Sequence, residues 1–269
     1  MEKVLMSCKF GIGAIDQPPL DRSKFTHTHI FPEIYKARLR INRVSPFPIA
    51  STSFYSIENF PAEFDNVLYQ QNRVDLPPRV SLSVIKRRKE YFFGRLCARE
   101  AVRFFLPDFT DQIRTGSGGV PQFPGGLAGS ITHDADGAAA ICQPAEFGSL
   151  GLDMEPAMSA ALAEELWMTV ATREELALLC WRDAIKSLRL TLIFSAKEAL
   201  FKAIYPEILC IPEFLTSAVI NVNWTAGYMT LRLEKNLGGG WDRGRIILAY
   251  FVVDEGRVLT LVSTKDGAT

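Results

Sequence analysis

The sequence is poor in histidine and cysteine and has no excess of either charge. Its 269 residues include three His and five Cys, and 30 Lys and Arg balance 30 Asp and Glu. A neutral chain is not expected to bind nucleic acid or a membrane surface nonspecifically, because such binding depends on net positive charge. The cysteines are odd in number, scattered and without a CxxC pair, so we expect reduced thiols in a cytoplasmic protein.

Long apolar runs are also missing. No stretch approaches the roughly 18 apolar residues that a membrane-spanning helix needs. The N-terminus carries mixed charge and lacks a long apolar region ending in small residues, so a signal peptide is not expected. With 48% hydrophobic and 22% charged residues, the composition is typical of a soluble globular protein of one large or two smaller domains.

The pattern along the chain predicts an α+β fold. Eight of the fifteen prolines lie within residues 1–80, which favours extended segments and loops there. Apolar residues at helical spacing predict long helices over 83–106 and 188–205, with two short helices within 159–180. Alternating or apolar runs bounded by turn residues predict the strands 49–57, 130–133, 137–143, 149–156, 246–253 and 258–262.

The helix predicted over 83–106 carries four arginines on one side. Arg88, Arg95, Arg99 and Arg103 fall within roughly 80° of its surface at 100° per residue. Like charges three or four residues apart repel one another, so the stripe favours an anion bound there. A helix face turned to solvent explains the same pattern, and the stripe alone leaves both interpretations open.

Three carboxylates fall on two predicted elements of the second half. Asp153 and Glu155 are two residues apart on a strand, so both project from one face, as a hard cation such as Mg²⁺ requires. Glu198 lies almost opposite the apolar stripe of the helix 188–205, with Lys202 one turn later. Acids on an exposed strand face and an i,i+4 Glu–Lys pair are also common without any function.

His133 follows a glycine-rich loop, TGSGGVPQFPGGLAG, at 115–129. The loop offers backbone N–H groups to a phosphate but lacks the GxxxxGK[ST] and GxGxxG patterns of the common nucleotide folds. The GxSxG of esterases and Cys–His spacings of zinc sites are absent too. A hydrogen-bonded structural histidine explains His133 as well as a functional one does. Together, the arginines, His133, the carboxylates and Lys202 describe a site for a polyphosphate and its Mg²⁺.

This order of motifs resembles that of the 4′-phosphopantetheinyl transferases of the surfactin and enterobactin type, which activate carrier proteins of peptide, polyketide and siderophore assembly. The motifs are GRLCARE (94–100), PQFPGGLAGSITH (121–133), GLDMEP (151–156) and FSAKEALFKAIYP (194–206). The resemblance implies a pseudo-dimer of two similar α+β halves with coenzyme A in the cleft between them. Residues 1–48 would then be an N-terminal extension, 49–148 the N-terminal half and 149–269 the C-terminal half.

The resemblance also implies roles for the acidic residues. The family's metal-binding acids correspond to Asp153, Glu155 and Glu198, which would act in catalysis by holding a Mg²⁺ that also binds pyrophosphate oxygens. Glu198, or a water that it polarises, is in addition the candidate base for the serine proton of the carrier.

Basic residues would hold the phosphates of coenzyme A. The family's phosphate contacts correspond to Arg95 and His133, and we expect further contacts from Arg99, Lys197 and Lys202. Many relatives have Lys or Arg just before the PQFP segment, where this chain has Gly119 and Val120. Arg114 is the candidate replacement.

The implied reaction transfers the 4′-phosphopantetheine arm of coenzyme A to a serine of an apo acyl or peptidyl carrier protein and releases adenosine 3′,5′-bisphosphate. We expect a monomer, with the acidic helix of the carrier docked near the cleft and the apolar residues of 159–180 as the candidate surface. A non-catalytic coenzyme A or nucleotide binding module stays an alternative. The holo-carrier synthase of fatty acid synthesis, a shorter trimeric branch, is disfavoured by two halves in one chain.

The neutral total charge is a sum of opposite parts. Residues 86–103 carry seven basic and two acidic groups, whereas residues 146–175 carry seven acidic groups and one basic group. A site for coenzyme A with Mg²⁺ needs arginines for phosphates and carboxylates for metal, so we expect folding to bring these segments together.

Overall fold

The fold was analysed on a computed structural model, which describes residues 40–49, 51–179, 185–254 and 256–265. These residues lie within one compact unit, Phe31–Thr269. They form two antiparallel sheets, each with a long helix packed against it, so the α+β class is confirmed. Most of the N-terminal extension expected for residues 1–48 lies outside the described residues.

The first sheet has four strands in the order β1-β2-β6-β5. These strands are β1 (Arg40–Asn42), β2 (Ser53–Glu58), β5 (Leu127–His133) and β6 (Gly137–Pro144). A two-stranded ribbon of β3 (Arg114–Thr115) and β4 (Pro121–Gln122) lies in the connection to β5. The helices of this region are α1 (Val67–Gln71), α2 (Pro78–Ser81) and α3 (Ile85–Arg103).

Helix α3 is the long helix predicted from periodicity, and it packs against β2, β5 and β6. It is buried on nearly every side, and Phe92 and Leu96 belong to the core beneath it. A Cβ on Gly94 would lie 3.1 Å from Ile131 Cγ2, so this glycine lets the helix approach β5 closely. Strand β1 and the buried Phe47 also belong to the fold here. The expected extension therefore includes residues of the first sheet.

The second sheet has five strands in the order β7-β11-β10-β9-β8. They are β7 (Leu150–Pro156), β8 (Ser217–Asn223), β9 (Tyr228–Leu233), β10 (Ile246–Asp254) and β11 (Arg257–Ser263). The helices are α4 (Ala160–Val170), α5 (Arg173–Leu178) and α6 (Lys186–Ile208). Both long helices, both short helices and the predicted C-terminal strands are thus present, with ends that differ by a few residues.

Helix α6 lies almost in backbone contact with β7. A Cβ on Gly151 would lie 1.8 Å from the carbonyl oxygen of Ala199, so only glycine fits at this position of the strand. Ala199 and Ala203 are small and fully buried on the facing side of the helix. The neighbours of these small residues, Glu198 and Lys202, are therefore held close to β7.

The two sheets meet at their edges. Strand β5 ends the first sheet and β7 ends the second, and the two strands lie in contact. The N–H groups of Leu152 and Met154 donate to the hydroxyl oxygens of Ser130 and Thr132, each at 2.9 Å. A shared apolar cluster lies beside this junction and contains Ile141 from β6 and others from both sheets. We call the β5–β7 junction the seam.

Two further observations bear on the sequence expectations. Cys97, Cys142 and Cys210 are free thiols, whereas Cys8 and Cys180 lie outside the described residues. Within the described ranges, no helix combines the length and the apolar character needed to cross a bilayer.

Candidate functional site

An aspartate and a lysine form the centre of the candidate site. Asp153 projects from β7 toward α6 and is 3% exposed. Lys202 Nζ donates to Asp153 Oδ1 at 2.6 Å and to the carbonyl oxygen of Leu152 at 3.0 Å. The lysine expected to pair with Glu198 along the helix therefore pairs across to the strand. Asp153 Oδ2 is buried and has no hydrogen-bond partner among the described residues, which leaves one strong acceptor for a further ligand.

Glu155 and Glu198 lie near this pair and are electrostatically coupled to it. Burial raises the pKa of Glu155 to about 7, and the negative charges of Asp153 and Glu198 add to the rise while Lys202 opposes it. Burial and the charge of Asp153 likewise raise the pKa of Glu198 above its ordinary value. Three carboxylates and one ammonium group thus share a partly desolvated region, with more negative than positive charge.

His133 stands at the end of β5 among charged groups of α3. Arg87 Nη1 donates to His133 Nε2 at 2.9 Å, and His133 Nδ1 lies 3.6 Å from Glu90 Oε2. This geometry fits a neutral ring that carries its proton on Nδ1. Burial lowers the pKa of His133, Glu90 opposes that effect, and the charges of Arg87 and Lys202 add to it. The histidine and the Asp153–Lys202 pair therefore lie within electrostatic reach of each other.

A cavity of about 500 Å³ adjoins the carboxylates. Glu198 and Lys202 line it, and so do the apolar or aromatic residues Phe123, Ile131, Phe201 and Tyr205. Gly118 also lines the cavity with a φ of +70°, and a Cβ there would lie 2.5 Å from the Tyr205 hydroxyl. The glycine-rich loop and α6 thus form walls of one cavity with an apolar interior and a charged end.

The arginine stripe of α3 is mostly used within the fold. Arg88 donates to Asn66 Oδ1, and Arg103 donates to the carbonyl oxygen of Phe109 and to Glu100. Arg99 is 4% exposed and donates to the carbonyl oxygen of Asn72 at 2.6 Å. The sequence could not show this, because the acceptors come from loops 6 to 27 residues away.

Arg95 keeps binding capacity that the other arginines have largely used. Its Nη2 donates to Thr115 Oγ1 at 2.6 Å, and its guanidinium group stacks on Tyr91 at 4.8 Å. Nε and Nη1 of Arg95 have no hydrogen-bond partner among the described residues, although the side chain is buried. Thr115 lies in β3, next to the loop that lines the cavity. The guanidinium group of Arg95 therefore lies close to that loop, where it can bind an anion.

Lys197 and Arg114, two other basic residues singled out in the sequence, do not join the carboxylate group. Lys197 is fully buried, and its Nζ lies 2.9 Å from Glu175 Oε1 and donates to the carbonyl oxygen of Val170. Glu175 also accepts the N–H of Val219, so the lysine ties α6 to α4, α5 and β8. Arg114 is exposed and lies 3.3 Å from Asp111. Arg99 and Lys197 are thus structural residues in this arrangement.

The donor set fits a hard cation in its chemistry. Asp153, Glu155 and Glu198 offer only oxygen ligands, the type that Mg²⁺ prefers, and one of these oxygens lacks any partner. In the described part of the chain, no three His, Cys, Asp or Glu side chains are spaced as ligands of one metal ion. Lys202 instead neutralises part of the charge. Binding of a cation would therefore require these side chains to move together.

Several residues near the site could not be recognised from the sequence. Glu90 and Arg87 surround His133, but both read as members of a charged helix start, KRRKE, in which no single residue stands out. Ser130 and Thr132 read as ordinary strand residues. Small residues next to charged ones, Gly151 before Asp153 and Ala199 after Glu198, mark the crossing of α6 and β7 but give no sign of Glu90 or Arg87.

The fold and site define an α+β protein in which Glu198 and Lys202 line an apolar cavity and are electrostatically coupled to Asp153, Glu155 and His133. Residues 77–143 match the model of the 4′-phosphopantetheinyl transferase N-terminal domain, and residues 149–251 match that of the 4′-phosphopantetheinyl transferase superfamily. Similar proteins include enterobactin synthase component D of Salmonella typhimurium, 31% identical over 182 residues, which are 66% of this chain and 72% of that protein. The chain belongs to the 4′-phosphopantetheinyl transferase family.

Two other relatives match over shorter segments. The 4′-phosphopantetheinyl transferase Npt of Nocardia iowensis is 38% identical over 128 residues, 47% of this chain and 56% of the relative. The 4′-phosphopantetheinyl transferase Svp of Streptomyces mobaraensis is 35% identical over 166 residues, 57% of this chain and 62% of the relative. The matched segments thus span between about half and three quarters of these three relatives.

Proposed function

We propose that this protein transfers the 4′-phosphopantetheine arm of coenzyme A to a serine of an apo carrier protein, in a Mg²⁺-dependent reaction that releases adenosine 3′,5′-bisphosphate. The observation that carries the proposal is the group of Asp153, Glu155, Glu198 and Lys202, of which Glu198 and Lys202 line an apolar cavity, in a chain of this family. The relative named enterobactin synthase component D favours a carrier of siderophore assembly.

Coenzyme A would bind where the two sheet–helix halves meet, so that the chain works as a pseudo-dimer. The cavity takes its lining from the loop before β5 in one half and from α6 in the other, which supports this placement. Its apolar wall suits the pantetheine arm, whereas Lys202, His133 and the unsatisfied Nε and Nη1 of Arg95 suit phosphate oxygens. His133 Nε2, which accepts from Arg87, would take up a proton in order to donate to a phosphate, and both basic groups would then face the anion.

Asp153, Glu155 and Glu198 would hold the Mg²⁺. When bound, the metal neutralises charge that develops on the pyrophosphate as the serine attacks. Lys202 adds a positive charge next to Asp153, and it remains available to a phosphate oxygen when Asp153 turns toward the cation. Glu198, alone or through a water, accepts the proton of the serine.

The carrier is expected to approach the charged end of the cavity. Leu162, Met168 and Leu178 on α4 and α5 are exposed, as the candidate docking segment requires. That surface also carries Glu164 and Glu165, so an acidic carrier helix would need basic residues from elsewhere near the cavity. We further propose a cytoplasmic location, which the free thiols of Cys97, Cys142 and Cys210 support, and a monomeric state.

Transfer to a panel of carriers tests this function. The full chain would be incubated with fluorescent coenzyme A, Mg²⁺ and apo carriers of siderophore, peptide, polyketide and fatty acid synthesis. We expect fluorescence on at least one carrier, and its loss with a chelator. Binding of coenzyme A without labelling of any carrier would contradict transfer and favour the non-catalytic binding module. Elution as a trimer would favour the holo-carrier synthase type.

A further inference from the structure

Alternate residues of β5 bind across the seam to the second sheet. Ser130 Oγ accepts the N–H of Leu152, and Thr132 Oγ1 accepts the N–H of Met154, each at 2.9 Å. Two residues further on, Asp134 Oδ2 lies 2.7 Å from Arg257 Nε at the start of β11. Ser130 and Thr132 are 4% and 3% exposed, so these bonds are shielded from water. Two side chains of β5 and one from the residue that follows it thus fix the edge of the other sheet.

These contacts enclose the part of β7 that carries the carboxylates. Asp153 lies between the two anchored residues, Leu152 and Met154, and Glu155 follows directly. Leu152 is held from both of its backbone groups, since its N–H donates to Ser130 and its carbonyl oxygen accepts from Lys202. A shift of β7 at the seam would therefore move Asp153 and the anchor of Lys202 together.

The intervening residues of β5 serve the other side of the proposed site. Ile131 lines the cavity, and His133 contacts Arg87 and Glu90 of α3. Ser130 and Thr132 bind the second sheet and alternate along β5 with Ile131 and His133, so the two pairs of residues are locked to each other within one strand. The position of β5 against β7 thus sets the separation between His133 and Asp153.

We infer that Ser130, Thr132 and the Asp134–Arg257 pair are positioning residues, which hold the histidine side and the carboxylate side of the site at the separation that one ligand can bridge. The inference rests on the proposed function, because it assigns the phosphates of coenzyme A to both sides. The hydroxyl and carboxylate oxygens of these residues are used at the seam; Ser130 lines the cavity, whereas Thr132, Asp134 and Arg257 do not. Their loss would misplace binding groups without removing any of them.

The decisive variants are two substitutions of Thr132. Thr132→Val keeps the shape of the side chain and leaves the N–H of Met154 without its acceptor. Thr132→Ser keeps the hydroxyl and serves as the rescue. Thr216→Val is the matched control, because Thr216 is equally buried and its hydroxyl donates to the carbonyl oxygen of Glu213, in the turn before β8. Both valine variants lose one buried hydrogen bond.

Two measurements on the full-length protein separate positioning from stability. We expect Thr132→Val to speed amide exchange of Met154 at least about tenfold and to lower kcat/KM for coenzyme A by about tenfold or more, since displacements of 1 Å are sufficient for such losses. Thr132→Ser should restore both values. Thr216→Val should lower Tm similarly and leave kcat/KM within about twofold. Equal kcat/KM for the two valine variants would overturn the inference.

The result stays interpretable if the proposed function fails. Wild-type protein that labels no carrier would refute transfer, whereas the exchange of Met154 and calorimetric binding of coenzyme A still test the seam. Arg257→Gln provides a second, independent break, because it removes the ion pair and leaves β5 unchanged. We expect weaker coenzyme A binding in this variant as well. Unchanged binding in both Thr132→Val and Arg257→Gln would exclude a positioning role.

Discussion

The two long helices use their charged residues differently, nine in α3 and six in α6. In α3, Arg99 and Arg103 bind loop carbonyl groups, so the most conspicuous charge pattern of the sequence mainly holds the first half together. In α6, Lys197 is equally structural, yet Glu198 and Lys202 remain directed toward β7 and the cavity. The density of charge on a helix therefore did not identify the site. The close crossing of α6 and β7, at Gly151 and two alanines, brings Asp153 and Lys202 together.

The largest effect is expected at Asp153, which pairs with Lys202 and is also a proposed metal ligand. Asp153→Ala removes the partner of Lys202 and the buried oxygen, Oδ2, that has no hydrogen-bond partner among the described residues. We expect carrier labelling to fall by about 1000-fold or more, because both metal binding and charge balance depend on this side chain. Circular dichroism should show an unchanged fold. Glu213→Ala, at an exposed pair with Lys235, is the control; full Mg²⁺-dependent activity of Asp153→Ala would refute the metal assignment.

Two lysines of α6 offer a direct comparison within one helix. Lys202→Met should lower kcat/KM for coenzyme A by about 100-fold. It leaves the buried Asp153 without its partner, but it should destabilise the fold less than Lys197→Met does, because the Lys202 side chain is 32% exposed and water can partly replace it. Lys197→Met leaves Glu175 buried without its partner and should cost about 3–5 kcal/mol of unfolding free energy. The activity of the folded fraction should stay near that of the wild type. A larger activity loss in Lys197→Met, at equal folded fraction, would restore Lys197 as a phosphate contact.

Replacing the two glycines at the helix–strand crossings by alanine should lower the stability of the protein by different amounts. In Gly151→Ala the new methyl group would meet backbone atoms of α6, which cannot move without shifting the helix. We expect a loss of about 3 kcal/mol or more in urea denaturation. In Gly94→Ala the nearest atom is a side-chain methyl group of Ile131 at 3.1 Å, so the loss should be smaller. Similar losses for the two variants would mean that α6 and β7 are not packed this closely.

The smallest effect concerns pH. Because the pKa of Glu155 is raised from 4.5 to about 7, the folded protein binds more protons than the unfolded chain between these values. This carboxyl group therefore stabilises the fold less as pH rises, and the loss is complete above about pH 7. With a chelator present, we expect the fall in Tm between pH 5 and pH 8 to be smaller in Glu155→Gln than in the wild type. An identical fall in both would contradict the raised pKa.

Much of the fold could be predicted because its signals are local. The helical spacing of apolar residues located α3 and α6, and the alternation at 149–156 located β7 with Asp153 and Glu155 on one face. The resemblance to a known family then selected Arg95, His133, Glu198 and Lys202 from among many charged residues. Arg99 and Lys197 looked equally suitable, since a sequence does not show whether a basic side chain points into solvent, a ligand site or the core.

The sequence by itself determined the elements and the type of chemistry, because periodicity, turn residues and side-chain groups depend on neighbours along the chain. Only the tertiary structure decided which partner each charge has. Lys202 turns to Asp153, 49 residues away, and Lys197 to Glu175, because the close packing of α6 brings these elements together. The seam also depends on tertiary structure, because the hydroxyls of Ser130 and Thr132 bind β7 only where the edges of the two sheets meet.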